Sequence, residues 1–463
     1  LDVIMNHSLS TAQVIVVGAG IAGLTAAYSL KEQGISVKVI DAADRVGGRM
    51  TSDELNGHVV DRGAQFLSSE YSIIAGLLKK LKIDAQLCAT SQCSAIVRHA
   101  QPHILRTNHP LNAIHLLGLR SVFKLGWRTA SLRKKQHQLS LSNYSTWAAF
   151  DNESTSTWSN TKISHEVTEY LYEPMLHGFY FQRPEETSKA LALALTMFGM
   201  KKTQILCLKD GMSVLPETLS QAVDVTLNTP VHKVEWTEGQ VYVYTSGETY
   251  AADAVIIAVP APYAKQLLSA SSEIAKADAL LATPYSSSIN VACVTQPNFQ
   301  LTPNLANVYG VLIPRSERAE VVAIGIENNK NRAPHTSGNL FNFMFSHEAA
   351  QHFMQSPDED IVAAALAAVS GLLPNLASYI AQTQVYRWPL AEPLSPVGRA
   401  QQLQAYRAHV EKKRTKILLA GDYMSMPYTE GAAESGWWAA QTLAHLAPPC
   451  NGSVDDSLRT CDA

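Results

Sequence analysis

The sequence predicts an α/β protein: a doubly wound parallel-sheet unit joined to a second α+β unit of mixed sheet and helices. Three observations predict it. A β-branched run, Val14–Val17, ends in Gly18-x-Gly20-x-x-Gly23 and leads into a helical stretch. A second strand pattern comes after it and ends in an acid, Asp41. Far down the chain, Ile417–Ala420 reads as another strand, with a glycine-rich turn and a helix behind it. Long strand-rich stretches separate the two ends, so one unit is assembled from separate segments and interrupted by the other.

The first βαβ unit carries the most information. Val14–Val17 suits a parallel strand buried on both faces. Gly18 allows the tight turn, Gly20 lets backbone approach a pyrophosphate, and Gly23 permits close helix–strand packing. The helix, read from about Leu24 to Gln33, points its amides and positive dipole end at the phosphates. Gly34 closes it as a C-cap. Ile35–Ile40 is the next strand. At its end the Asp41 carboxylate can accept hydrogen bonds from ribose hydroxyls and repels a 2′-phosphate. These features together read as a dinucleotide site. They do not separate FAD from NAD.

Further along, residues 85–150 contain no Asp or Glu but carry Arg98, Arg106, Arg120, Lys124, Arg128, Arg133, Lys134 and Lys135. The stretch to about 190 turns acidic and helical. Strands are expected at Val231–Trp236, Val241–Thr245, Ala254–Val259, Ile289–Thr295, Val308–Pro314, Val321–Ile326 and Leu340–Phe345. Helices are expected at about 359–371 and from Gly431 to Leu446. The polar tail, 448–463, reads as disordered.

Composition excludes several classes. Hydrophobic residues make up 46% and charged residues only 17%, which rules out a disordered polyelectrolyte. The net charge of −3 offers no overall attraction for nucleic acid. The cysteines Cys88, Cys93, Cys207, Cys293, Cys450 and Cys461 form no C-x-x-C pair and no zinc-spaced cluster with histidine. Neither a metal site nor a disulfide framework is expected, and a reducing, cytoplasmic compartment fits. Met5 reads as the natural start, with residues 1–4 foreign to it, and the residues after Met5 carry no signal-peptide pattern. No apolar run reaches the roughly 18 residues of a membrane span.

Three later segments join the fingerprint. Arg45-Val46-Gly47-Gly48-Arg49 succeeds Asp41, and Asp61-Arg62-Gly63-Ala64 comes next. Near the end stand Ala420-Gly421-Asp422, Glu430-Gly431-Ala432 and Ser435-Gly436. The set resembles the flavin-containing amine oxidase superfamily, which includes monoamine and polyamine oxidases, protoporphyrinogen oxidases, and carotenoid and squalene desaturase relatives. The resemblance runs from about residue 12 to 447 and implies FAD. It implies that Arg45, Gly48 and Arg49 lie along the diphosphate and ribityl, with Gly63 and Ala64 in the same cofactor site. Gly421 and Asp422 would serve the phosphate or ribityl region. The helix opening at Gly431 and Ala432 would point at the flavin ring, and Val231 would offer its backbone to the adenine. The FAD-binding domain is then expected from 12–86, 203–260 and 400–447, and the substrate domain from 87–202 and 261–399.

The middle of the chain resembles the protoporphyrinogen oxidase and desaturase branch, in "YEPMLHGFYFQRPEETSKALAL", "GVLIPRSERAEVVAIGIENNKNRAP" and "YRWPLAEPLSPVGRAQQL". Two departures from amine oxidases stand out. Those enzymes place a lysine on a substrate-domain strand to hold a water at the flavin's reactive nitrogen. The matching position here, after "ATPYSSSI", is Asn290. Many also tether the flavin through a cysteine before the last FAD segment. Residues 387–400 contain none, so the FAD is expected to be non-covalent. Tyr428 matches one wall of the amine oxidases' aromatic cage, and Trp388 is the tryptophan of the "RW" pair. Trp437 and Trp438 are expected in packing.

The expected activity is removal of a hydride from an amine or related C–H substrate to the flavin, which dioxygen or another acceptor reoxidises. The alternatives are a protoporphyrinogen-oxidase- or desaturase-like dehydrogenase of a large conjugated or lipophilic precursor, and a non-catalytic flavoprotein. Arg120, Lys124 and Arg128 recur every four residues, with Ile114, Leu117, Val122 and Leu125 as an accompanying apolar face. The stretch 98–135 would then lie on an anionic membrane surface, steer an anionic substrate, or pair with Asp151, Glu153, Glu166 and Glu169.

Overall fold

The computed structural model describes residues 9–106, 113–201, 203–237, 239–268, 274–317, 320–332 and 338–446. The expected disordered tail at 448–463 lies outside them. Two seven-stranded sheets organise the chain. In the first, Asp224–Thr226, Val37–Ile40, Leu9–Val17 and Thr249–Ile257 run parallel, and Ile417–Leu419 pairs parallel with Thr249–Ile257. Gln240–Thr245 and Val231–Thr237 continue the sheet antiparallel. Val14–Val17 and Val255–Ile257 are buried, as strands covered on both faces must be.

The helix Ile21–Glu32 begins three residues before the expected Leu24, because Gly20 already takes the extended N-cap conformation. A Cβ at Gly23 would stand 1.9 Å from the Gly18 carbonyl oxygen, and one at Gly436 would stand 2.0 Å from that of Ala22. Gly436 therefore lets the C-terminal helix Thr429–Leu446 pack directly on the first helix. Trp438 is buried there beneath the Arg407 guanidinium, 4.7 Å from its ring centre, whereas Trp437 is 42% exposed.

The second sheet runs in the order Ile380–Pro393, Tyr285–Thr295, Leu340–Phe345, Val321–Ile326, Gly310–Leu312, Cys93–Arg98 and Gln101–Arg106. Three further features were not anticipated. The fourteen-residue strand Ile380–Pro393 shows no clean alternation and holds two prolines, so its sequence does not look like a strand. The Cys93–Arg106 hairpin joins the sheet from far away in sequence. The helix Arg399–Lys413 is largely polar, but it buries Ala400, Leu403, Tyr406 and Val410 at helical spacing.

The helix Ile114–Lys135 is broken at Gly118, whose φ of 73° and ψ of 154° are not helical. Leu116, Leu117, Ser121, Thr129 and Leu132 are buried. Of the apolar face expected from Ile114, Leu117, Val122 and Leu125, Leu117 is buried and Val122 and Leu125 are half-buried against the core, so this face turns toward the protein. The acids expected to partner Arg120, Lys124 and Arg128 are engaged elsewhere. Asp151 accepts from the Ala400 amide at 2.6 Å and so caps the Arg399–Lys413 helix. Glu153 pairs with Lys189, Glu166 with Arg98, and Glu169 with His165.

A buried ion cluster joins the two sheets' regions. Asp61 ends the strand His58–Asp61, and Glu327, Lys330 and Arg332 come just after the strand Val321–Ile326. Lys330 Nζ lies 2.7 Å from Asp61 and 2.6 Å from Glu327, and Arg332 lies 2.6 Å from Asp61. All four side chains are buried. Burial alone would raise the Asp61 pKa, but the two cations outweigh it and hold the carboxyl below its usual value. Ion pairs this deep are costly to break one-sidedly. Lys330→Met should destabilise the fold by about 3–5 kcal/mol, read from denaturant unfolding. Because the Asp61 pKa is depressed in the fold, its contribution is present above roughly pH 4 and lost as pH falls through the folded value. The variant should therefore begin acid unfolding at a higher pH than the parent.

Candidate active site

A cavity of about 670 Å³ runs from the Gly18–Gly20 turn to the face of the Tyr285–Thr295 strand, a size usual for ligand sites. Among the expected cofactor residues, Gly18, Gly20, Asp41, Gly48, Arg49, Gly63, Ala64, Val231, Gly421, Asp422 and Ala432 line it. Gly23, Arg45 and Gly431 do not. Gly23 serves the helix–strand contact. A Cβ at Gly431 would meet the Met426 carbonyl oxygen at 2.1 Å, so this glycine lets the preceding turn close. The Arg45 guanidinium is held by Asp53 at 2.9 and 3.1 Å instead of facing the cavity.

The cradle is built by local geometry. Gly18 has φ +111°, and a Cβ there would stand 2.7 Å from the Ala258 carbonyl oxygen, so only glycine fits. Around Gly20 no atom lies within 4 Å of a would-be Cβ; a side chain there would fill the space in front of the helix N-terminus. Asp41 accepts from the Ala19 amide at 2.5 Å and the Ala43 amide at 2.8 Å. Its carboxylate therefore shapes the turn as well as facing the cavity. Deeper in, Arg49 reaches Asp422 at 2.6 Å and the Ala391 carbonyl at 2.7 Å. The Gly421 amide donates to Ser435 Oγ at 2.8 Å. Glu392 also lines the cavity, and burial lifts its pKa well above the usual carboxyl value even though Arg49 opposes the shift.

Asn290, Trp388 and Tyr428 come together at the other end, with Phe181, Ser288 and Met344. Asn290 Nδ2 lies 3.3 Å from the carbonyls of Asp61 and Arg62. Its buried Oδ1 has no hydrogen-bond partner, an acceptor left open beside the cavity. Trp388 Nε1 donates to the Arg62 carbonyl at 2.9 Å, which fixes the indole beside Gly63. The Tyr428 ring stacks on Tyr71, with centroids 5.5 Å apart and planes within 6°, and Phe198 closes on it edge-on at 6.1 Å. Its hydroxyl donates to the Leu141 carbonyl, and burial holds that phenol neutral by pushing its pKa well above 10.

Sequence reasoning missed Tyr71, Phe181, Met344, Glu392 and Glu430 in this site. The sequence marks Glu430 only as part of a glycine-rich segment. Its carboxylate accepts from the Ile73 and Ile74 amides at 2.8 and 3.0 Å and from Ser142 Oγ at 2.7 Å. It thereby caps the helix Ser72–Lys80 from outside and sets Tyr71 against Tyr428. An acid two places after an aromatic was the one available signal.

The family profile described as "Flavin containing amine oxidoreductase" matches residues 21–444. Protoporphyrinogen oxidase 2 of Arabidopsis thaliana is 31% identical over 186 residues, which are 39% of this chain and only 35% of the plant protein. The 15-cis-phytoene desaturase of Synechococcus elongatus is 25% identical over 479 residues, covering 93% of this chain and 95% of that enzyme. The cyclohexylamine oxidase structure from Brevibacterium oxydans superposes with a TM-score of 0.73 at 18% identity, over 94% of this chain and 99% of that one. At that identity it speaks for the fold.

Asp41→Ala should weaken binding of the flavin cofactor by about 1.5–3 kcal/mol, measured by cofactor titration of the apoprotein; unchanged affinity would mean that Asp41 acts only on the turn. Asn290→Ala should slow turnover or reoxidation more than it weakens cofactor binding, as stopped-flow absorbance would read.

Proposed function

The chain belongs to the flavin-containing amine oxidoreductases, and from that premise we propose that it binds FAD non-covalently and dehydrogenates a largely apolar substrate that carries no ammonium group. The residues fit FAD: the open space at Gly20, the acid ending the second strand and the Arg49–Asp422 pair supply partners for pyrophosphate, ribose and ribityl. The FAD-binding domain would comprise 12–86, 203–260 and 400–447, with the substrate domain made of 87–202 and 261–399. None of the described cysteines, Cys88, Cys93, Cys207 and Cys293, lines the cavity, which supports non-covalent binding.

When bound, the flavin supplies the hydride acceptor, and dioxygen or another acceptor takes the electrons on. The chain's own residues position and shield. Tyr428 and Trp388 form flat walls that align a planar substrate. Asn290 Oδ1 accepts a hydrogen bond from a water or a substrate N–H, in the place where amine oxidases carry a cation. Phe181 and Met344 exclude water.

One observation carries the substrate reading. Of the carboxylates among the described lining residues, Asp41 is held by backbone amides, Asp422 is paired with Arg49, and Glu392, close enough to Tyr71 and Tyr180 to raise their phenol pKa values, is itself kept protonated by burial, so none offers a free negative charge to an ammonium group. A conjugated or lipophilic precursor suits these walls better than a charged amine. Similarity to a protoporphyrinogen oxidase and a phytoene desaturase supports the same choice. An amine is the second reading, favoured by Tyr428 standing as one wall of an aromatic pair with Tyr71.

The purified protein should be yellow, and acid or heat should release intact FAD into the supernatant; colour retained by the denatured chain would overturn non-covalent binding. Steady-state turnover on porphyrinogens and polyenes, set beside peroxide release on an amine panel, decides the substrate class. Activity confined to amines would displace the first reading.

A further inference from the structure

Three of the most exposed large apolar side chains among the described residues lie on one helix. Leu119 is 72% exposed, Phe123 77% and Trp127 65%. They recur every fourth residue after the break at Gly118, so they form a single ridge. The opposite side of the same helix is buried through Ser121, Thr129 and Leu132. The ridge is therefore held outward by a helix that is itself firmly packed, and burial in the protein does not explain it. An apolar stripe of this kind on a solvent-facing side marks an interaction surface.

The charges beside it say what it meets. Arg120, Lys124 and Arg128 each come one position after a ridge residue, and Arg133, Lys134 and Lys135 crowd the helix end. The sequence from 85 to 150 has no acid to offset them. Lys124 and Arg128 lean on the carbonyls of Ile163 and Lys162, at 3.2 and 3.3 Å, and Arg128 also covers the Trp127 ring at 4.6 Å. Neither contact neutralises the cation. No described helix is long and apolar enough to cross a membrane. A ridge of Leu, Phe and Trp bordered by uncompensated cations fits the boundary between acyl chains and anionic headgroups.

We propose that residues 119–135 dock the protein on the surface of an anionic lipid bilayer, with Leu119, Phe123 and Trp127 inserted and the basic residues on the headgroups. This surface is separate from the cavity and does not depend on what the cavity binds. It also replaces the apolar face that sequence alone suggested, which the fold turns toward the core.

The test is flotation of the whole, cofactor-loaded chain with vesicles of phosphatidylcholine and phosphatidylglycerol in equal parts, beside pure phosphatidylcholine vesicles. Binding is expected to the mixed vesicles only and to fall as salt is raised. Phe123→Ser with Trp127→Ser should weaken it roughly tenfold or more, and so should Arg120→Glu with Arg133→Glu and Lys134→Glu. These side chains are on the surface, and an unchanged unfolding midpoint and flavin content confirm an intact fold. Absence of vesicle binding at low salt, equal binding to neutral vesicles, or full binding by the Phe123→Ser/Trp127→Ser protein would overturn the proposal. So would sedimentation showing that the ridge instead joins two copies of the chain, with the double variant monomeric.

Discussion

The buried charge of Asp61 is the constraint on which much of this structure depends. A carboxylate without water must be met by cations and donors, and here Lys330, Arg332, the Met212 amide and Ser52 all converge on it. These partners come from the hairpin beside the first sheet, from the turn after a strand of the second, and from the segment between them. Satisfying one charge thus locks three distant stretches together. The backbone carbonyl of the same residue accepts from Asn290 at 3.3 Å and from Gln65 at 2.8 Å. The segment Asp61–Ala64, a cavity wall, is thereby held in register with the strand bearing Asn290. Such a cluster contributes less to net stability than to uniqueness, because any slip leaves a buried charge unpaired.

The two ends of the cavity obey opposite rules. At the glycine turn the backbone itself is exposed, with small residues and a helix N-terminus that favour an anion. At the Asn290 end side chains dominate, Glu392 is kept protonated by burial, and the nearby cation is drawn aside. The Arg62 guanidinium lies 5.1 Å from the Tyr386 ring centre and near Asp53. The hydroxyls of Tyr71, Tyr180 and Tyr428 are all held protonated by burial. The result is a charged cradle opening into a neutral chamber, an arrangement suited to a cofactor that brings the reactivity and a scaffold that shapes the substrate space.

The same division appears on the surface. The chain has a small net charge, but one helix carries six Lys and Arg residues with no acid and also bears the exposed ridge. A globular core accounts for the inner side of that helix; it gives no reason for Phe123 and Trp127 on the outer side.

By itself the sequence determined the first βαβ unit, the cradle glycines, Asp41 at the second strand's end and most strands of both sheets. Each of these is written locally, as β-branched runs and glycines at positions where a Cβ would collide or fill the cavity. It also singled out Asn290, Trp388 and Tyr428, through a resemblance and not through spacing. Tertiary structure alone decided the rest. Arg45 turned to Asp53 because a nearby carboxylate competes for its guanidinium. Lys330 and Arg332 sat unremarked in a polar loop, since nothing in sequence says that Asp61, some 270 residues away, would be buried against them. Glu430 capped a helix more than 350 positions upstream. On the basic helix, the expected apolar face was Ile114, Leu117, Val122 and Leu125, and Leu119, Phe123 and Trp127 at the same kind of spacing were passed over. Periodicity cannot say which stripe faces inward, because that depends on what the rest of the chain places beside it; packing turned one toward the core and left Leu119, Phe123 and Trp127 outside.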